Sequence, residues 1–307
     1  MGTVDEIKYR FKLRIRAHRE FRADQRRYLR FTAPEERILS SPSTDKAVET
    51  QATKDYHRVE KALALNSVKR PFGDALGRRL DAVLPLLQQD TDLYAHTASA
   101  RRALDLWNND GVVDDEVSPP SGDGTFTMPR ADLQEFFTTR HSVRNFDASR
   151  TVSRDLLEEA IDLASRTPSV CNRQSWRVYL ATEPETTQRL LTHQNGNSGF
   201  GGVPVVALIT SDARLFAGVG ERNQGWIDGG LFAMSFVWAL HGLGLSSCML
   251  NMSVRNDRAD ALRAAFGIPD HELIVMQIAI GYPAPGHRIA RSPRRPRSEI
   301  AVFLDEA

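Results

Sequence analysis

Pro168-Ser169-Val170-Cys171-Asn172-Arg173-Gln174-Ser175-Trp176 is the stretch whose reading decides the fold of this chain. A helical pattern precedes it. Ser153 suits an N-cap, Leu156, Leu157, Ala160, Ile161, Leu163 and Ala164 share one apolar face, and Thr167 with Pro168 ends the run. Residues 177–182 then read as a strand. A loop that offers Ser, Asn and Gln side chains between a helix end and a strand start supplies amide donors and acceptors suited to the polar edge of a planar heterocycle. A loop that merely caps its own backbone would use the same residues.

Outward from this loop, further strands are expected at 204–210, 246–252 and 272–281, each short, apolar or β-branched, and bounded by turn residues. Residues 226–243 form the longest apolar run. Asp228, Gly229, Gly230, Ser235 and His241 interrupt it, which favours a buried or interface helix over a membrane span. Gly267 and Pro269 end a helix that starts near 256. Toward the N-terminus, 108–129 is rich in Asp, Gly, Ser and Pro and marks the best boundary. Helical periodicity occupies 55–65, 74–84 and 93–107, and the polar stretch 40–53 reads as a linker. Residues 9–31 make a basic amphipathic helix. Its aromatics dock on the core in one reading, and its arginines meet nucleic acid or an anionic membrane in the other. The expected organisation is a helical extension over 1–129 and a second domain over 130–307.

A net charge of +1 gives no global field to recruit a polyanion, so electrostatic arguments must be local. Cys171 and Cys248 are too few for a disulfide framework or a zinc site, and no secretory signal is visible at the N-terminus, so a cytoplasmic location is expected. The redox and packing readings of both cysteines favour small buried residues. His241 reads as a core or interface histidine, and His57 with Glu60 as an intrahelical pair.

Three more elements carry chemistry. Arg140-His141-Ser142-Val143-Arg144 places two forked cations around a hydroxyl, suited to an anionic or carbonyl-rich ligand. Gly242 to Asn251 hands a helix over to a strand through small residues that let backbone approach a ligand. Ser292-Pro293-Arg294-Arg295-Pro296 offers another cationic pair able to grip a phosphate.

Taken in order, and with Gly281-Tyr282-Pro283 after the last strand, these elements resemble the nitroreductase family of flavoproteins over about 137–303. The resemblance implies an α+β sandwich in which helices flank a central mixed, mainly antiparallel sheet, with FMN as cofactor, NAD(P)H as co-substrate and a homodimer whose interface includes the helix at 226–243. It implies that Arg140, His141 and Ser142 lie at the FMN phosphate and ribityl chain, and that Arg144 and Asn172 face the pyrimidine edge. Pro168, Ser169 and Gln174 would shape the cofactor wall, from the same subunit or its partner. Met249, Leu250 and Asn251 would bring a backbone amide near flavin N5, with Gly281 closing the strand behind them and Arg294 and Arg295 completing the phosphate clamp. Asn251 and Ser292 depart from the family pattern. The run Tyr56-His57-Arg58-Val59-Glu60-Lys61 is similar to a helical extension found on some bacterial members.

The expected reaction is ping-pong transfer of hydride from NAD(P)H through flavin to an electron-poor small molecule, with no obligatory side-chain acid or base. Two other functions fit the same residues: a flavoenzyme acting on a biosynthetic intermediate without pyridine nucleotide, and a nucleic-acid or membrane binder acting through the basic N-terminal helix with a vestigial flavin site.

Overall fold

In the computed structural model, which describes residues 3–34, 45–121 and 126–306, the core is a four-stranded sheet. Its strands are β1 (Trp176–Ala181), β2 (Val205–Asp212), β3 (Ser246–Asn251) and β4 (Glu272–Gly281), in the order β1-β2-β4-β3, and every pairing is antiparallel. All four expected strands are present within two residues of their anticipated ends.

Nine helices of eight or more residues are described: α1 (Thr3–Phe31), α2 (Asp45–Leu63), α3 (Asp74–Val83), α4 (Asp92–Asp110), α5 (Arg130–Thr139), α6 (Arg154–Ala164), α7 (Pro184–Leu191), α8 (Gln224–Gly242) and α9 (Asn256–Phe266). β2 is buried at all eight positions because helices cover both faces of the sheet. Val205, Ala207 and Ile209 pack with α6 and α8, whereas Val206 and Leu208 pack with α7 and α9. Phe232, Phe236 and Leu240 of α8 are wholly enclosed, each contributing about 1.5–3 kcal/mol by area transfer. Gly229 permits the close approach of α8, since an added Cβ would stand 2.6 Å from Val275 Cγ2 on β4. The Ser153 cap forms, its Oγ accepting from the Leu156 N–H at 3.3 Å.

The helical N-terminus has a core of its own, in which Tyr56, Val59 and Leu63 of α2 meet Leu76 and Leu80 of α3 and Ala100, Ala103 and Leu104 of α4. Residues 45–53, read as linker, are instead the first half of α2; residues 40–44 lie outside the described residues. This polar sequence is buried because its polar groups find partners. Gln51 bonds Asp55, Thr50 Oγ1 donates to the Lys46 carbonyl at 2.7 Å, and Asp55 receives Arg79 at 2.8 and 2.9 Å.

α1 begins six residues before the expected start at 9, and its aromatics do not all dock as expected. Phe11 and Phe21 are 65% and 72% exposed. Its C-terminal half contacts the body, where Tyr28 donates to the Gly218 carbonyl and Arg27 pairs with Asp260 and Asp270 at 2.7 and 3.2 Å. No helix among the described residues is long and apolar enough to cross a membrane.

Candidate functional site

The loop at 168–174 is held in a left-handed conformation that Asn172 tolerates but that Cys171 and Gln174 do not favour. Cys171, Asn172 and Gln174 have φ of 49°, 54° and 46°, in the left-handed region. Several bonds impose it. Ser169 Oγ accepts from the Gln174 N–H at 2.9 Å, and the Ser169 carbonyl accepts from the Asn172 N–H at 3.1 Å. Asp228 of α8 accepts the Val170 N–H at 3.3 Å, and Ser175 Oγ lies 2.8 Å from Ser211 Oγ.

Arg173, passed over in the sequence, is the anchor. Its wholly buried guanidinium meets both carboxylate oxygens of Glu221 and donates to the Leu215 carbonyl at 2.6 Å, while Nε donates to the Val170 carbonyl at 3.2 Å. Burial pushes the Glu221 carboxyl up, but hydrogen bonds from Arg173 and the Ala217 N–H outweigh that and leave it below the usual range. Burial holds Asp228 above the usual range, only partly offset by its bonds to Gln224 and Val170. In the sequence Asp228 is distinguished only as a charge that interrupts an apolar run.

The residues at 140–144 lie elsewhere. Arg140 follows the last turn of α5 with its guanidinium 5.8 Å from the centre of the Trp238 ring. Ser142 forms a parallel bridge to Ser247, with the Val143 N–H donating to the Ser247 carbonyl at 3.1 Å. His141 lines a small cavity with Ser247 and His287. His241 links α8 to α5, 3.0 Å from the Phe136 carbonyl and 3.1 Å from Thr139 Oγ1, and burial keeps it below the usual imidazole range. Cys248 is buried beneath this segment, and burial pushes its thiol up, against the pull of Arg144.

Met249, Leu250 and Asn251 lie on β3, the edge strand. Beyond the bridge at Ser247, its outer edge has no strand partner among the described residues. Asn251 Oδ1 accepts from the Ser253 N–H at 3.2 Å. Gly281 ends β4 and serves close packing, since an added Cβ would stand 2.8 Å from Pro204 Cδ and 3.0 Å from Phe146 Cδ1. Near the C-terminus Ser292 has φ of 44°, and Arg294 folds back to donate to the Ser292 carbonyl at 3.1 Å. Arg144 does likewise to Ser142 at 3.3 Å. Among the described residues, Arg140, Arg144, Arg294 and Arg295 form no ion pair with a carboxylate, leaving forked donors free for an external anion. No described group of His, Cys, Asp and Glu could hold a metal ion.

The sequence elements therefore fall into two groups within one chain. The loop at 168–174 is tied to Asp228 in the first half of α8, and the segment at 140–144 lies beside His241 in its last turn, about 20 Å away at 1.5 Å of helix rise per residue.

The Nitroreductase family profile matches residues 137–197 and 193–282. A protein of Methanothermobacter thermautotrophicus, provisionally named an NADH dehydrogenase/NAD(P)H nitroreductase, is 26% identical over 172 residues, covering 55% of this chain and 87% of the relative. An NADH dehydrogenase of Thermus thermophilus is 27% identical over 199 residues, covering 53% and 94%. Among solved structures, a nitroreductase-like protein from Streptococcus mutans superposes with a TM-score of 0.50 at 18% identity, covering 57% of this chain and 100% of that one. The antiparallel sheet and the flanking helices agree with these matches, and residues 137–282, just under half of this chain, are similar to the nitroreductase family.

Proposed function

We propose that the chain is an FMN-dependent oxidoreductase that passes two electrons from NAD(P)H to an electron-poor organic acceptor such as a nitro compound, quinone or enone, and that it works as a homodimer. The exchange balances: NAD(P)H, a proton and the acceptor enter, and NAD(P)+ leaves with the acceptor carrying two more electrons and two more protons.

One observation carries this reading. The four non-glycine residues with left-handed backbone among those described, Cys171, Asn172, Gln174 and Ser292, all sit in the two segments expected to touch the cofactor. Such conformations cost about 1–2 kcal/mol each, and they persist where surrounding structure enforces them, commonly at ligand sites.

The residues fit FMN. Arg140, Ser142, Arg294 and Arg295 would hold the phosphate, Arg144 and Asn172 the pyrimidine edge, and the open edge of β3 at Met249–Asn251 would offer backbone N–H groups. FMN, when bound, supplies the hydride-exchanging N5. The protein's own part is orientation, charge and exclusion of water.

The placement of the two groups beside opposite ends of α8 favours a site shared by two copies of the chain. So does the outer face of α8, where Trp226, Ile227 and Leu231 are 46%, 51% and 47% exposed and a Cβ at Gly230 would meet open space.

The test is anaerobic. Purified protein should be yellow, release FMN on denaturation and bleach on addition of NADH or NADPH. Bleaching by another donor but not by pyridine nucleotide would favour the enzyme that acts on a biosynthetic intermediate. A colourless protein that takes up no added FMN overturns the proposal.

A further inference from the structure

A cleft of about 630 Å3 opens where the helical extension meets the loop at 168–174. α2 contributes Glu49, Thr53 and Tyr56 to its wall, α4 contributes His96, and the segment between α3 and α4 contributes Gln88. Asn172 and Gln174 form the opposite wall. The volume suits a small organic molecule, for which sites of about 300–1,000 Å3 are usual.

Its chemistry is specific. Tyr56, Thr53 and Asn172 line the same cleft, so a phenol, a hydroxyl and an amide face its interior. The Tyr56 and His96 rings stand 6.0 Å apart, inclined at 47°, and with Leu87 and Leu93 they give an otherwise polar pocket a flat apolar flank. Charge is nearly absent. Glu49 is the only carboxylate in the lining and pairs with Lys46, while the lining guanidinium of Arg173 is taken up by Glu221. An anion entering here meets a carboxylate and no free guanidinium or ammonium among the lining residues, so the pyrophosphate of a dinucleotide finds no counter-charge. A neutral ring with carbonyl or hydroxyl groups finds amides, hydroxyls and an aromatic flank.

We propose that this cleft is the acceptor site and that it selects an uncharged, planar ring compound bearing carbonyl or hydroxyl groups. The inference rests on the flavin reading above and adds to it. In a two-chain site, the arginines of one copy would hold the cofactor against the Asn172 loop of the other. The helical extension would then supply the specificity that the family region does not provide by itself.

The test uses two redox-inert probes of one shape, 4-hydroxybenzamide and its anionic counterpart 4-hydroxybenzoate. Binding is measured by calorimetry on the full-length, FMN-loaded protein. The amide should bind at least fivefold more tightly than the acid. Tyr56→Phe, which deletes one hydroxyl, should weaken the amide about fivefold, the equivalent of one hydrogen bond of about 1 kcal/mol. Gln88→Arg, at an exposed position, places a free cation in the wall and should shift the preference toward the acid by about fivefold or more. Because Tyr56 is buried and its replacement risks misfolding, the Gln88 variant carries the decision, with bound FMN and circular dichroism reporting that it folds. The amide should also compete with 1,4-benzoquinone in reoxidising the reduced protein.

A folded Gln88→Arg protein whose preference is unchanged overturns the cleft, as does a wild-type protein that favours the acid. A colourless protein that still prefers the amide overturns the flavin reading and leaves the selectivity of the cleft standing.

Discussion

Arg173 and Glu221 form a bidentate ion pair, with Nη1 2.9 Å from Oε2, that ties the strained loop at 168–174 to the segment after β2. The guanidinium is fully buried and the carboxylate 22% exposed. Arg173→Ala leaves the carboxylate without its partner, a change that costs about 3–5 kcal/mol for buried pairs. It should lower the urea midpoint accordingly and release FMN from the molecules that remain folded. A variant with the wild-type midpoint and full flavin would show that the loop needs no such anchor.

The same pair sets a pH dependence. Glu221 titrates lower in the folded chain than in the unfolded one, so folding favours its ionised form. Its contribution is complete above the ordinary glutamate value of about 4.3 and disappears as pH falls through the lower folded value. Urea unfolding of the wild type and Glu221→Gln at pH 7 and near pH 3 should show the stability gap shrinking at the acid end. A gap that stays constant would mean that Glu221 acts only as a neutral hydrogen-bond partner.

Gly281→Ala separates packing from cofactor contact. The added methyl would overlap Pro204 and Phe146, and overpacking of this kind costs about 1–3 kcal/mol. The melting temperature should fall while flavin affinity per folded molecule stays constant. Loss of FMN without loss of stability would place Gly281 at the cofactor instead.

The exposed face of α8 predicts an oligomer. Sedimentation should find wild-type protein as a dimer, and Leu231→Arg should give monomers that lose FMN, because each would hold only half of the proposed site. A wild-type monomer that retains one FMN per chain would defeat the shared site.

Much of the architecture was legible in the sequence. β1 to β4 were readable because each apolar run is bounded by turn residues, and α6 because Ser153 and Pro168 bracket a clean apolar face. Two short helices escaped notice. α5 is exposed or half-buried throughout, so its pattern is weak; α7 spans only eight residues, and Pro184 in its first turn was the available signal. The opening of α2 was hidden for a different reason. Periodicity detects apolar faces, whereas Thr50, Gln51 and Asp55 are buried through polar partners distributed along and between helices.

Residue identity and spacing by themselves determined the strands, most helices and the likeness of residues 137–282 to the nitroreductase family. Local pattern suffices there, because hydrogen-bonding type and hydrophobic period belong to the residues themselves. Only the tertiary structure decided that the loop at 168–174 and the segment at 140–144 stand at opposite ends of α8, that Arg173 is an internal anchor, and that Tyr56 of a distant helix lines one cleft with Asn172. Those relations arise from packing between elements far apart in the chain, and nothing in the local composition of either partner encodes the distance between them.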